Sequence, residues 1–344
     1  MRRRDDRKRL PTLADIASAA KVSTATVSRV LNRSNLVRPD LRIRVEEAID
    51  GLGYFPHGAA RALASNRSFT IGAVIPTLNN AIFASGINAF SAALTARDYT
   101  LLLAVSDYSL AIEADEVRRL LERGIDGLLL VGNAHSLTTY EALQRAGTVY
   151  INTWIYEPDC DHPNVGFSNR RAIAQIADHL VNLGHRYIGM LAGVTAGNDR
   201  ARDRLFGLEE ALTGHGLALA ERATREVAYS VRDARDALAA LVQSDRLPTA
   251  IVCGNDVIAL GVLFEALERN IRVPEDLSIT GFDNLPIVEH IRPRLTTVHV
   301  PAEQMGTLAA EALLSALDAH TAVGSREVEA SLLVGETTGP PARP

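Results

Sequence analysis

The chain has 344 residues, 47% of them hydrophobic and 22% charged, with a formal net charge of −5. No apolar run nears the ~18 residues that span a bilayer. The charged start, Met1-Arg2-Arg3-Arg4-Asp5-Asp6, is not followed by the apolar stretch of a secretory signal. Two distant cysteines, Cys160 and Cys253, imply neither a disulfide framework nor a zinc site. These features argue against a membrane or disulfide-stapled secreted protein and fit the reducing cytoplasm. The length suggests about two or three domains. Charge is unevenly spread. Residues 1–66 hold 13 Lys and Arg against 7 Asp and Glu, a net of +6, and the rest of the chain is net −11. A basic head on an acidic body is the footprint of a DNA-binding domain joined to a larger one.

After a mixed-charge leader, Arg2 to Arg9, three short helices are predicted. Thr12-x-x-Asp15 has the pattern of a capping box and starts the first near Leu13. Leu13, Ile16, Ala17 and Ala20 give it an apolar face. Lys21-Val22 makes a turn, and Ser23 is suited to cap a second helix over about Thr24 to Leu31. At ~100° per residue, Thr24, Ala25, Ser28 and Arg29 span an arc of about 140°, while Val27, Val30 and Leu31 fill another of about 100°. One side is therefore buried, and the other offers small groups and one Arg. Small side chains let a helix lie deep in the major groove, where Arg takes guanine bidentately and Thr hydrogen-bonds or touches a thymine methyl. Val37, Leu41, Val45, Ile49 and Leu52 pattern a third helix that covers the first two.

The strings Thr12-Leu-Ala-Asp-Ile-Ala17 and Val22-Ser-Thr-Ala-Thr-Val-Ser-Arg-Val-Leu-Asn32 resemble the helix-turn-helix of the LacI/GalR repressors. Gly53-Tyr54-Phe55-Pro56 and Ala59-Ala60-Arg61-Ala62-Leu63 are similar to that family's hinge segment. The resemblance implies that Thr24, Ala25 and Arg29 read bases and that Asn32 and Tyr54 meet the DNA backbone. It also places Thr12, Ser23, Thr26, Ser28, His57 and Ala60 in the interface. Leu63 stands where the family wedges an apolar side chain into the minor groove, unstacking a base step and bending the duplex. Lys21 departs from the glycine common at that turn. A left-handed conformation there costs Lys roughly 1 kcal/mol.

Beyond the linker Ser65-Asn66-Arg67-Ser68, strands and helices alternate. Strands are predicted at Ile71–Ile75, Tyr99–Val105, Gly127–Val131, Tyr187–Leu191, Ala250–Cys253 and Leu277–Phe282. Early helices are predicted at Ala84–Thr95 and Ala111–Glu122. Such repeats make parallel sheets covered on both faces, whose binding sites lie at the carboxyl ends of the strands.

The resemblance extends over nearly the whole chain. Its matches include Leu183-Gly184-His185-Arg186, Asn255-Asp256-x-x-Ala259-x-Gly261, Arg272-Val273-Pro274-Glu275-Asp276, Gly281-Phe282-Asp283 and Leu295-Thr296-Thr297-Val298. The implied fold is a small all-α helix-turn-helix head with a hinge helix, then an α/β core of two periplasmic-binding-protein-like (type I) subdomains. The head covers 1–57, the hinge and linker 58–67, and the core 68–340. Its N-subdomain takes about 68–163 and 292–323, its C-subdomain about 164–291 and 324–340, with chain crossings near 163, 291 and 323. The resemblance puts an effector in the cleft, against Phe83, Asn152, Arg202, Arg204, Tyr229, Asn255 and Asp283. Carboxylate and amide oxygens accept from hydroxyls, Arg donates a rigid fork, and aromatics cover an apolar ring face. That chemistry suits a sugar, polyol or sugar acid, or a nucleobase. Of Arg202 and Arg204, at least one is a solvated or ion-paired charge. The segment Thr153-Trp154-Ile155-Tyr156, with Cys160 and His162, is either a ligand-selecting rim or a packed loop.

No motif of dinucleotide or nucleotide phosphate binding, metal ligation or nucleophilic catalysis is present. No cofactor is expected, and His185 reads as a satisfied structural residue. The expectation is a cytoplasmic transcription regulator rather than an enzyme, a repressor first and an activator as the alternative. It works as a homodimer on a near-palindromic double-stranded operator, under the control of a carbohydrate-like effector and with no membrane partner.

Overall fold

In the computed structural model, which describes residues 11–32, 37–54, 67–244 and 246–342, the chain divides between Phe69 and Thr70 into a small helical unit and a larger α/β unit. In the small unit, α1 spans Leu13–Ala20, α2 Thr24–Asn32 and α3 Pro39–Leu52. The expected capping box is present: the Thr12 amide donates to Asp15 Oδ2 (2.8 Å), and the Asp15 amide donates to Thr12 Oγ1 (3.4 Å). Lys21 ends α1 at φ 53°, ψ 49°, the left-handed turn its position demands. The Arg44 guanidinium of α3 donates to the carbonyls of Ala20 (2.5 Å) and Lys21 (3.2 Å), tying the third helix to that turn. Ile16, Ala17, Ala20, Val27, Val30, Val45 and Tyr54 form the buried core.

The larger unit has two parallel sheets. The first runs in the order β11-β5-β4-β3-β1-β2, where β1 is Thr70–Ile75, β2 Thr100–Val105, β3 Gly127–Val131, β4 Val149–Thr153, β5 Asn164–Gly166 and β11 Arg326–Glu327. Its helices are α4 (Ala81–Thr95), α5 (Leu110–Glu122), α6 (Leu137–Ala146) and α11 (Ala302–Ala319). The second runs β7-β6-β8-β9, with β6 at Ile188–Gly193, β7 at Thr224–Val227, β8 at Ala250–Cys253 and β9 at Ser278–Thr280. Around it lie α7 (Asn169–Asn182), α8 (Asp199–Gly214), α9 (Val231–Val242) and α10 (Asp256–Glu268). An antiparallel ribbon of β10 (Thr297–His299) and β12 (Ser331–Leu333) completes the unit.

The central strands β3, β6 and β8 are buried at every residue, which is why they read as continuous apolar runs rather than alternating ones. Close packing of α4 on α11 depends on two glycines: a Cβ on Gly306 would collide with the Gly86 carbonyl oxygen. Among the described residues no helix is long and apolar enough to cross a membrane.

The crossings fall later than the sequence reading places them. β5 pairs with β4 in the first sheet, so the chain leaves the first lobe after Gly166 rather than near 163. β10 is bridged to the second sheet, at Thr280–Thr296 and Asp283–His299, and the return to the first lobe comes between it and α11 rather than near 291. β11 still pairs with β5, so the last crossing follows Glu327 rather than 323. Short strands of two or three residues give no periodic signal, and pairing alone assigns them to a lobe.

Candidate functional site

In the small unit, α2 has the two-sided character that its spacing predicts. Val27 and Val30 are buried, whereas Thr24, Ala25 and Arg29 are exposed and Ser28 and Thr26 half-exposed. Ser23 caps the helix: its Oγ accepts from the Thr26 amide (3.1 Å) and lies 2.9 Å from Thr26 Oγ1. Thr12 is engaged in the α1 cap. Tyr54, expected at the DNA backbone, has its ring in the head's core at 7% exposure, since the turn at Gly53 (φ 62°) folds it back under α1 and α3. Asn32 closes α2. His57, Ala60 and Leu63 lie outside the described residues.

In the larger unit, the carboxyl ends of the strands of both lobes converge on a narrow, closed cleft, the place where such sheets bind ligands. The first lobe contributes Asn80, Ile82 and Phe83 after β1, Tyr108 after β2 and Trp154 after β4. The second contributes Asn198, Arg200 and Arg204 after β6, Tyr229 after β7, Asn255 after β8 and Asp283 after β9. Phe167 and Asn169 come from the first crossover. Tyr108, Trp154 and Asp283 have φ of 57°, 58° and 116°, conformations that L residues adopt where surrounding structure imposes them, often at binding sites.

The sequence-expected residues divide on this geometry. Phe83, Arg204, Tyr229, Asn255 and Asp283 line the cleft. Arg202, two residues from Arg204 on α8, is exposed. Asn152 is fully buried but turned away: its amide donates to Asn133 Oδ1 (2.8 Å) and the Tyr140 hydroxyl (3.0 Å). The strand stops one residue later, and Trp154, in its positive-φ turn, reaches the cleft instead. Cys160 and His162 are packed: His162 stacks on Tyr140 with ring centroids 3.7 Å apart, and its Nδ1 lies 2.6 Å from the Tyr150 hydroxyl. His185 is satisfied by Thr249 Oγ1 and the Gly339 carbonyl, both at 2.9 Å.

Several contacts join the lobes across the cleft. Tyr108 stacks on Tyr229 with centroids 5.5 Å apart. Asp199, at the start of α8, accepts from the amides of Asn133 (2.5 Å) and Ala134 (2.9 Å) in the loop after β3. Beside it, Arg200 Nη1 donates to Asp199 Oδ1 and to the Val131 carbonyl, both at 2.9 Å. Gly132, at φ 89°, leaves room for this pair, which any Cβ there would strike. Burial works against the Asp199 charge, but Arg200 and the two amides hold its carboxyl below the usual range. Sequence reading missed Asp199, Arg200, Tyr108 and Asn169, whose roles depend on partners from the other lobe or from the crossover.

The electrostatics of the cleft centre on Asp283. Burial pushes its carboxyl up to about 7, against the pull of Arg204 and a hydrogen bond from Asn80. Arg204 lies with its guanidinium 4.6 Å over the Phe282 ring, and among the described residues it forms no ion pair. Asp256, beneath, accepts from Thr297 Oγ1 (2.6 Å) and the Leu285 amide (2.7 Å), pinning the loop that carries Asp283. Burial and the nearby Asp283 push the Asp256 carboxyl well up. No group of metal ligands is found among the described residues. The cleft can hold a small polar molecule by hydrogen bonds and ring contacts.

Two family models match the chain: bacterial regulatory proteins of the lacI family over residues 12–57, and a periplasmic binding protein-like domain over residues 177–338. Catabolite control protein A of Priestia megaterium is 31% identical over 310 residues, 90% of this chain and 93% of that protein. A lac repressor dimer bound to operator and the anti-inducer ONPF superposes with a TM-score of 0.85 at 26% identity, covering 96% of this chain and 100% of the other. A complex of the transcriptional regulator CelR with cellobiose gives 0.71 at 27% identity, over 95% and 99%.

Proposed function

Since this chain belongs to the lacI family of bacterial regulatory proteins, we propose that it is a repressor whose grip on a near-palindromic operator is set by a carbohydrate-like effector bound in the cleft. It is a DNA-binding transcriptional regulator and not an enzyme. The observation that carries the effector reading is the cleft itself, which lies between two lobes held together by Asp199 and by the Tyr108–Tyr229 stack. A ligand there touches both lobes at once and so acts on the angle between them. A coupling of about 1–3 kcal/mol between the two sites is enough for regulation.

The exposed face of α2 supports direct reading of the major groove, with Arg29 as its longest donor. A homodimer suits both a near-palindromic site and the exposed apolar residues of the large unit. These are Leu103 and Val105 on the edge strand β2, with Phe264, Leu267 and Ile287 on the second lobe. The cellobiose complex of a structurally similar regulator supports the carbohydrate class. A cytoplasmic place of work follows from this reading.

The test is selection of bound duplexes from a random library by the full-length protein at about 150 mM salt, followed by release or retention of the winner with a panel of sugars and purines. A two-fold symmetric winner whose binding one sugar changes is the expected result. Failure to enrich any sequence, with and without the panel, would remove the operator reading.

A further inference from the structure

Four residues that line the cleft each carry a buried side-chain atom with no hydrogen-bond partner: Trp154 Nε1, Arg204 Nε, Asn255 Nδ2 and Asn169 Oδ1. Their residues are 1–7% exposed. Buried polar groups in folded proteins are almost always paired, and an orphan calls for an explanation. Four around one small cavity mark the places where a ligand's atoms belong.

Sequence reasoning gives Asn169 no role in binding, and it reads the segment of Trp154 as either a ligand-selecting rim or a packed loop. The Trp154 ring is held in one position. It meets Phe83 edge to face at 5.2 Å, and a Cβ on Gly86 would stand 2.6 Å from the indole. Asn169, the first residue of α7, uses its NH2 on the Trp154 carbonyl (3.0 Å), which leaves its Oδ1 unspent. A fixed donor and a fixed acceptor thus stand on one wall of the cleft.

We propose that Trp154 and Asn169 are effector-recognition residues that seat hydroxyl groups of a neutral polyhydroxylated ring, Trp154 donating through Nε1–H and Asn169 accepting through Oδ1. The inference rests on the effector reading above and narrows it. A hydroxyl both donates and accepts, so one kind of ligand group satisfies Trp154, Asn169, Asn255 and Arg204 together. A carboxylate only accepts. It would leave Asn169 Oδ1 unmatched and bring a second acid to the cleft that holds Asp283. Of the two cations of the cleft, Arg200 is already engaged by Asp199, and the charge of Arg204 acts on Asp283. Phe83, Phe167 and Tyr108, which also line the cleft, are the apolar partners for the C–H surface of a sugar ring.

Trp154 is the only tryptophan in the chain, so its emission reports directly on the cleft of the full-length protein. The probes are glucose, cellobiose, ribose and sorbitol; the acids gluconate and glucuronate; and hypoxanthine and adenosine. A neutral compound is expected to shift the emission saturably and to give binding heat, with the acids and purines inert. By calorimetry, Trp154→Phe and Asn169→Ala each weaken that binding about five- to tenfold, with circular dichroism unchanged. A deoxy analogue lacking the seated hydroxyl loses the same factor on the wild type and nothing further on the variant. Equal affinities of wild type and Trp154→Phe overturn the proposal, as do binding of an acid or purine in place of a neutral compound and a panel with no neutral binder. A neutral binder that leaves operator affinity unchanged strikes the effector reading instead and leaves the seat intact.

Discussion

Replacing Asp283 by Asn should stabilise the large unit while weakening ligand binding, and the gain should depend on pH. Asp283 has a folded pKa of about 7 against an ordinary 3.8, because burial disfavours its charge more than Arg204 and Asn80 favour it. The folded state therefore binds the proton more tightly than the unfolded state does. Stability from this group is fully present below 3.8 and is lost as pH rises to about 7, after which the loss is constant. About three pKa units at ~1.4 kcal/mol each give a penalty on the order of 4 kcal/mol at pH 8. Asn keeps the shape and cannot ionise, so it escapes that penalty, and it also relieves Asp256, whose carboxyl Asp283 helps to push up. At roughly 2 °C per kcal/mol for a unit of this size, the variant should melt about 5–8 °C higher at pH 8 and only a few degrees higher at pH 5. Differential scanning calorimetry at the two pH values is the assay. A melting difference that is the same at pH 5 and pH 8, or a variant less stable at pH 8, would refute the reasoning. A site that must hold a polar ligand gives up stability to stay ready for it.

Arg29→Ala should relax sequence preference at one base position in each half-site by about 1–3 kcal/mol, and an unchanged selection profile would remove Arg29 from base reading. Lys21→Gly should stabilise the small unit by about 1 kcal/mol, since Lys21 sits at φ 53°, ψ 49°; slower amide exchange of Ile16 and Val45 is the readout, and no slowing counts against it. Asp199→Ala removes the acceptor of the Asn133 and Ala134 amides and leaves the buried Arg200 unpaired. A local cost of about 3–5 kcal/mol should appear as much faster exchange of those two amides, and exchange at the wild-type rate would mean that the lobes do not close through Asp199.

Much of this protein is written in local patterns. The three head helices follow from a capping box, a serine cap and apolar residues three and four apart, because a helix repeats every ~3.6 residues. The exposed Thr24, Ala25 and Arg29 follow from the same period. The buried strands β3 and β8 fall at the predicted residues, since an apolar run bounded by polar turns leaves little else. Phe83, Arg204, Tyr229, Asn255 and Asp283 were legible because each stands at a strand end or just inside the helix after it, in strings that resemble a known family.

Tertiary structure decided the rest. Asn152 and Trp154 are two residues apart, and only the backbone turn past Thr153, with Trp154 at φ 58°, determines which one faces the ligand space. Tyr54 joins the head's core because Gly53 turns the chain back, a placement its motif does not show. The short strands β5, β10 and β11 found their lobes by pairing. Asp199 reaches its amides 65 and 66 residues away in the chain. Periodicity carries information over a turn or two of the chain, whereas a cleft is made by side chains that meet only once both lobes have folded and closed.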